Sequence, residues 1–410
     1  MARTIHTLSD VVDAGLCCGC GACLSHCGKA AVSLVNDEAS GIRPVFVGGG
    51  CGDCTECLSF CPGSVLDYRG LLDKYPGKYH PLIGPYLEIW DGYSADDDSR
   101  RKASSGGALS ALSLYCLEKE NMESVLHTGM DRSKPWLNRS VRSKTREEIL
   151  ENAGSRYAPS SPCDALSLIE IGERPSVFIG KPCDAAAVYS MRRINKKLDD
   201  RLGLVLSFFC AGPPATKATL DLLQREGVAR EAVNSIHYRG NGWPGLFSVR
   251  YDSNQAEKTL TYKQAWGYLA SHRRPFRCSI CPDGMGEFAD ISCGDAWHNY
   301  KDNGDPGQST IIVRTSRGRE ILERAVAAGY LRVQASDPER VLSAQGLQKR
   351  KNELHGRLLA MAMTALPRPN YNGFPSAELW RDNPLSVKFR TLAGTVRRII
   401  TRHYMKKVDL

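Results

Sequence analysis

The sequence predicts an α+β protein with a cysteine-rich N-terminal segment, an α/β region on a mixed sheet and a helical C-terminal tail. Three observations predict it. Two four-cysteine runs of equal spacing occupy the first 65 or so residues, short apolar runs alternate with helical stretches from about 101 to 335, and residues 340–410 read as mostly helical.

The 410 residues are 42% hydrophobic and 24% charged, an ordinary balance for a globular protein long enough for two or three domains. No window approaches the roughly 18 consecutive apolar residues of a spanning helix, and the first residues lack the apolar core of a secretion signal. A cytoplasmic protein is expected. In that reducing compartment the 16 cysteines are expected as metal ligands or redox thiols, and nine of them lie between Cys17 and Cys61. The formal charge of +9 is mild for this length, and no helix-turn-helix, zinc-finger or RNA-binding signature accompanies it, so no nucleic-acid partner is expected.

Cys17, Cys20, Cys23 and Cys27 follow C-x2-C-x2-C-x3-C, and Cys51, Cys54, Cys57 and Cys61 repeat it with Pro62 behind. This is the run of a bacterial-type ferredoxin domain, in which three thiolates wrap one 4Fe–4S cubane and the fourth reaches the other. Cys17, Cys20, Cys23 and Cys61 are therefore expected at one cluster, and Cys51, Cys54, Cys57 and Cys27 at the second. Glycines 19, 21 and 52 suit loops whose N–H groups approach sulfur closely. Gly28 stands where a proline is usual, and Cys18 is an extra thiol beside a ligand. Zinc also takes four thiolates, but its sites use two separated C-x2-C pairs more than two full runs. Residues 1–70 are read as the ferredoxin-type domain. Residues 71–100, with Pro76, Gly77, Pro81, Gly84, Pro85 and the acidic run 96–98, read as a connection.

In the body, residues 107–119 suit a helix, as do 317–328, and 176–180, 202–209 and 309–315 read as buried strands. Residues 246–262 look like a hairpin insertion. Local patterns follow one another: Ser104-Ser105-Gly106-Gly107, Gly154-Ser155-Arg156-Tyr157, Gly180-Lys181-Pro182-Cys183, Phe209-Cys210-Ala211-Gly212-Pro213, Tyr238-Arg239-Gly240-Asn241-Gly242, Arg277-Cys278 with Cys281-Pro282-Asp283, and Ala289-Asp290 with Cys293-Gly294-Asp295.

Their order, behind a ferredoxin-like start, resembles the beta-subunit family of coenzyme F420 (deazaflavin) hydrogenases and dehydrogenases over about residues 10–330, and is similar to the related 7-hydroxymethyl chlorophyll a reductase. The resemblance implies an FAD-containing subunit, a flavin-binding catalytic domain over 101–335, and electron passage between a two-electron carrier and iron–sulfur clusters.

The residues add to this. Hydroxyls and N–H groups of Ser104, Ser105, Gly106 and Gly107 at a helix start suit a flavin phosphate or polar ring edge, although a plain serine cap looks the same. Lys181 after an apolar strand is a candidate for the same anion, against a solvated lysine; Arg156, Tyr157, Gly240 and Gly242 are weaker candidates. A third 4Fe–4S cluster is expected on Cys183, Cys210, Cys278 and Cys281, with Cys293 as a fifth candidate. The alternatives are a zinc pair or buried free thiols. Cys116 is read as core, and His26 as a group covering or tuning a cluster.

Residues 336–410 are taken as a helical region with a basic amphipathic end. Lys388, Arg390, Arg397, Arg398, Arg402, Lys406 and Lys407 interleave with Phe389, Leu392, Val396, Ile399, Ile400 and Tyr404. That end would pack on its own domain or make a peripheral contact at the inner membrane surface. The function expected is a flavin-dependent iron–sulfur oxidoreductase that takes a small hydride donor or substrate and a redox partner, either a ferredoxin or an enzyme subunit. The competing classes are an electron-conducting subunit without its own substrate and a non-catalytic redox sensor. Flavin content would separate the last from the others.

Overall fold

Runs that are apolar on both faces become central strands, and the computed structural model bears this out over the residues it describes: 4–47, 54–74, 77–272, 274–301 and 304–401. The chain opens with helix Leu8–Asp13, capped by a Thr7–Asp10 capping box. Helix Ala22–Cys27 follows and stops at Gly28, whose φ is +77°. Proline cannot take that φ and glycine takes it freely, which accounts for the departure from the usual cysteine-run ending. Strands β1 (Val32–Asp37) and β2 (Gly41–Phe46) form an antiparallel hairpin. The short β3 (Val65–Asp67) lies beyond the second cysteine run.

The stretch read as a connection is built into the fold instead. It holds helix Tyr68–Lys74, a small hairpin of β4 (Lys78–His80) and β5 (Gly84–Tyr86), and β6 (Glu88–Ser94). β6 lies inside the large sheet between β15 (Ser309–Val313) and β16 (Leu331–Ala335). The signal that hid it is Asp91. Its carboxylate is fully buried and is met by His298 Nε2 at 2.7 Å and by the hydroxyls of Thr310 and Ser336, each at 3.1 Å. A charged residue at a core position breaks the apolar run that marks a buried strand, and partners from far along the chain, Asn299 and Arg340 also among them, offset the cost of its burial.

The remaining strands of the large sheet are β7 (Val125–Met130), β8 (Asn138–Ser143), β9 (Ser176–Gly180), β10 (Leu202–Phe208) and β14 (Ile291–Asp295). The order is β16-β6-β15-β14-β10-β9-β7-β8. β7, β9, β10 and β14 are mutually parallel, β15 is antiparallel to β14, and β6 is antiparallel to β15, so β6 runs with the parallel set. The mixed sheet is as the sequence predicts. Helices Ala108–Glu118 and Ser316–Ala327 cover one face, sharing a core with Val177, Leu204, Leu206, Ile291 and Ile311.

Between β10 and β14 the chain adds a satellite sheet of β11 (Val233–His237), β12 (Leu246–Tyr251) and β13 (Ala256–Thr261). Its core with helices Thr216–Arg225 and Tyr262–Ser271 is separate and holds Leu222, Ile236, Phe247, Val249 and Leu269. The hairpin expected over 246–262 is present as β12 and β13.

The opposite face of the large sheet joins the two ends of the sequence. One continuous core runs from Leu8, Val11 and Leu16 through Phe178 and Ala185–Val188 to Leu354, Met361, Phe374 and Ile399. β17 (Asn370–Asn372) pairs with β3 in parallel. The tail is mainly helical, with Gln348–Met363 and Leu385–Thr401 its longest helices. The latter buries Thr391, Thr395 and Ile399, and leaves Leu385, Phe389 and Ile400 more than half exposed. Arg402, Tyr404, Lys406 and Lys407 lie outside the described residues. No described helix is long and apolar enough to cross a membrane.

Candidate redox site

In a sheet of parallel strands the backbone opens outward at the carboxyl ends, where loops can reach a common space. Here those ends carry Lys181 and Cys183 after β9, Cys210 after β10, Asp295 on β14 and the 104–107 loop beyond β6.

The N-terminal cysteines converge in two sets across the two runs. Cys61 feels the charges of Cys20 and Cys17, and Cys23 those of Cys20, Cys17, Cys61 and Cys57. Cys27 Sγ lies 3.7 Å from Cys57 Sγ. Cys54 is exposed, and Cys51 lies outside the described residues. Cys61 thus lies near Cys17 and Cys20 of the first run, and Cys27 beside Cys57 of the second. The Gly19 N–H points to Cys17 Sγ at 3.3 Å. Ser161 Oγ donates to Gly19 O at 2.6 Å and the Cys163 N–H to Cys20 O at 3.1 Å, which docks the first loop on the body. His26 does not join the sulfurs. Its ring meets Glu56 at 3.0 Å and tilts over Phe60 at 5.1 Å.

A third set gathers in the body. Burial pushes Cys278 up to about 12, reinforced by Cys210, Cys281 and Cys183; burial does the same to Cys210, with Cys183 and Cys281 adding. Cys183 also exchanges a thiol hydrogen bond with Cys18, the extra cysteine beside Cys17, so the third set touches the first. Cys293 is not part of it. It sits in the sheet core opposite Ile311, and burial alone raises its pKa. Cys116 is fully buried core, as read, and Cys163 hydrogen-bonds Cys20.

Among the described residues no three His, Cys, Asp or Glu side chains could hold a single metal ion. The donor set suits a cluster. Thiols packed against one another resist ionisation one at a time, and a cationic metal centre among them makes several thiolates stable together.

The flavin candidates scatter. Ser104 Oγ accepts from the Ser155 N–H, and Ser105 Oγ lies 2.6 Å from Ser309 Oγ, so both hydroxyls are engaged within the protein. A Cβ on Gly106 would meet Gly92 O at 2.6 Å, and Gly107 caps the helix at φ +76°. Gly240 and Gly242 close on the same loop, Gly242 through its N–H to Arg101 O at 3.2 Å. Lys181 turns inward, with Nζ 2.8 Å from Asp184 Oδ2 and from Ser160 O. Arg156 donates to Asn138 Oδ1, to Ile236 O at 2.9 Å and to Pro135 O at 2.8 Å, and so ties β8 to the satellite sheet. Lys181 is thus engaged inside the protein, whereas Arg156 lines a small cavity with Arg132, Arg139 and Arg239.

Sequence reading named Tyr157 but missed the aromatic group around it at the same sheet edge. Tyr157 packs on Trp266 at 4.4 Å, and Trp243 stacks on Trp297 at 5.4 Å and 25°. Arg239 pairs with Asp295 at 2.9 and 2.5 Å, under the rings of Tyr262 and Trp297 at 4.8 and 5.3 Å. Arg274 bridges towards the sulfurs, 5.7 Å from the Trp266 ring and facing Cys278 and Cys210. The six tryptophans of the chain were a usable signal, since three of them, Trp243, Trp266 and Trp297, fall in one stretch of 55 residues.

The chain has clear relatives. The model of the coenzyme F420 hydrogenase/dehydrogenase beta subunit N-terminus matches residues 89–167, and that of the C-terminus matches 174–339. The coenzyme F420 hydrogenase subunit beta of Methanosarcina barkeri is 27% identical, over 61% of this chain and 82% of its own length. That of Methanothermobacter thermautotrophicus is 24% identical over 70% and 99%. The coenzyme F420-dependent sulfite reductase of Methanocaldococcus jannaschii is 25% identical over 77% of this chain and 46% of its own. In fold, the chain is similar to one from the F420-reducing [NiFe] hydrogenase complex of Methanosarcina barkeri, with a TM-score of 0.52 at 22% identity, over 72% of this chain and 99% of that one. The chain belongs to the coenzyme F420 hydrogenase/dehydrogenase beta-subunit family.

Proposed function

We propose that this oxidoreductase passes electrons between a two-electron carrier of the deazaflavin class, FAD and three 4Fe–4S clusters. The observation that carries the reading is the run of neighbouring thiol sets. It starts at Cys210, Cys278, Cys281 and Cys183, crosses by Cys18 to Cys17, Cys20, Cys23 and Cys61, and ends at Cys27, Cys57 and the exposed Cys54.

A bound flavin would exchange hydride with the carrier and single electrons with the clusters. Tyr157, Trp266 and Tyr262 would offer it apolar faces, with Arg274 between them and the third cysteine set. The 104–107 loop and Gly240–Gly242 would border the same space. Cys17, Cys20 and Cys57 are buried, and the exposed Cys54 end suits delivery to a partner.

The relatives named as hydrogenase subunits favour a second form of the same reading, in which the chain serves a partner enzyme rather than a substrate of its own. The cationic, half-apolar face with Leu385, Phe389, Arg390 and Arg397 supports a peripheral contact with an anionic surface, tested by flotation with anionic liposomes.

The deciding experiment is anaerobic purification with iron, sulfide and flavin quantified, then reduction by deazaflavin, nicotinamide and reduced ferredoxin. The expected content is about 12 irons and one flavin per chain, with reduction by the deazaflavin. Zinc in place of iron, or colourless protein, overturns the reading.

A further inference from the structure

Three arginines lie around the third cysteine set, and among the described residues none of them pairs with a carboxylate. Arg277 is only 3% exposed. Its Nη2 donates to Pro62 O at 2.7 Å, directly behind Cys61, and its Nη1 to Ile280 O at 3.4 Å, directly before Cys281. Its Nε has no hydrogen-bond partner among the described residues, and its charge faces Cys18, Cys281 and Cys183. The Tyr371 ring lies 5.3 Å from the guanidinium, and its hydroxyl donates to Ile280 O at 2.8 Å. Arg350 donates to Cys210 O at 2.7 Å and to Cys278 O at 3.1 Å. Arg274 donates to Ala211 O and Ala270 O, each at 3.2 Å, and its Nε is also without a partner among the described residues.

A guanidinium buried away from every carboxylate is strongly unfavourable unless a permanent anion faces it. Carbonyl dipoles satisfy part of its hydrogen bonding and leave its charge uncompensated. Four thiolates around a cubane supply that anion, and each electron added makes the cluster more negative. A fixed cation beside it therefore favours the reduced state and raises the potential.

We propose that Arg277 is a shared counter-charge held between the first and third cluster sites, and that with Arg274 and Arg350 it raises the reduction potential of the third. Arg277 is a positioning and tuning residue, since it reaches the Pro62 and Ile280 carbonyls rather than any reacting atom. The charge sits where an electron must cross from the Cys278 and Cys281 loop to the Cys17 loop. The inference rests on the cluster reading above.

The test is a redox titration, followed by electron paramagnetic resonance, of the full chain purified without oxygen. Loss of a signal in Cys278→Ser identifies the third cluster. Arg277→Gln is expected to keep its iron and sulfide and to move that midpoint to more negative potential, while Arg277→Lys stays near the unaltered protein. Arg350→Gln moves it the same way by less, and the cluster at Cys27, Cys54 and Cys57 stays where it was. An unmoved third-cluster midpoint in an iron-replete Arg277→Gln protein overturns the proposal. Should that variant lose iron, Arg350→Gln and Arg274→Gln decide: a negative shift in either upholds it, and no shift in both overturns it. Unaltered protein without a third signal would overturn the cluster reading itself, a separate result.

Discussion

Cys27 and Cys57 bring their sulfurs within 3.7 Å, although 30 residues separate them in the chain. One cysteine from the end of the first run thereby joins the middle of the second. The last cysteine of the second run, Cys61, joins the first in turn.

This crossing predicts a pattern of loss. Cys27→Ser and Cys57→Ser should abolish the same paramagnetic signal, and Cys61→Ser should abolish the one lost in Cys20→Ser. Iron should fall by about a third in each. Signals lost in pairs that follow sequence order instead would refute the exchange.

Flavin retention should depend on the aromatic group rather than on Lys181. Tyr157→Ala and Trp266→Ala are expected to weaken flavin binding by about 2–10-fold, the worth of an aromatic contact, with iron unchanged. Fluorescence of released flavin after gel filtration reads this directly. Full retention in both variants would place the flavin elsewhere.

Lys351 and Glu287 form an ion pair, each no more than 3% exposed, beside Arg314. Burial holds the Glu287 carboxyl up at about 7, and Lys351 opposes that shift. Lys351→Met strands the carboxylate and should destabilise the protein by about 3–5 kcal/mol. The double change Lys351→Met with Glu287→Leu should recover much of that loss in urea unfolding. If the single and double variants unfold alike, the pair carries no such load.

His127 on β7 is buried, and desolvation lowers it to about 4; its Nε2 meets Ser143 Oγ at 2.8 Å. The unfolded chain takes up a proton near pH 6.5, whereas the folded one resists until about 4. Stability is therefore complete above about 6.5 and falls as the pH drops towards 4, by up to about 3 kcal/mol from this group. His127→Gln should lose less stability between pH 7 and pH 5 than the unaltered protein. Parallel losses would rule the histidine out as the cause.

How much was legible in the chain differs element by element. β9 and β15 were readable because both their faces are buried, which leaves the apolar runs Val177-Phe178-Ile179 and Ile311-Ile312-Val313. β6 was not, because Asp91 borrows His298, Thr310 and Ser336 from far along the chain. Arg156 and Lys181 looked like anion binders because a free and an engaged cation are the same letter. Their acceptors, Ile236 O and Asp184 among them, come from other elements.

By itself the sequence singled out the candidate cluster ligands of the two runs, since the C-x2-C-x2-C-x3-C spacing is local and survives in any fold. It also determined the mixed-sheet body, because periodicity is a local property. The tertiary structure alone decided that Cys293 stands apart from Cys183, Cys210, Cys278 and Cys281, that Cys18 links these four to the first set, and that Arg277 stands between. It also decided that the tail closes on the N-terminal end through β17 and β3. The physical reason is range. Spacing fixes neighbours within a turn or loop, but which strand ends share an edge follows from sheet order, and that order is chosen by burial of the whole core at once.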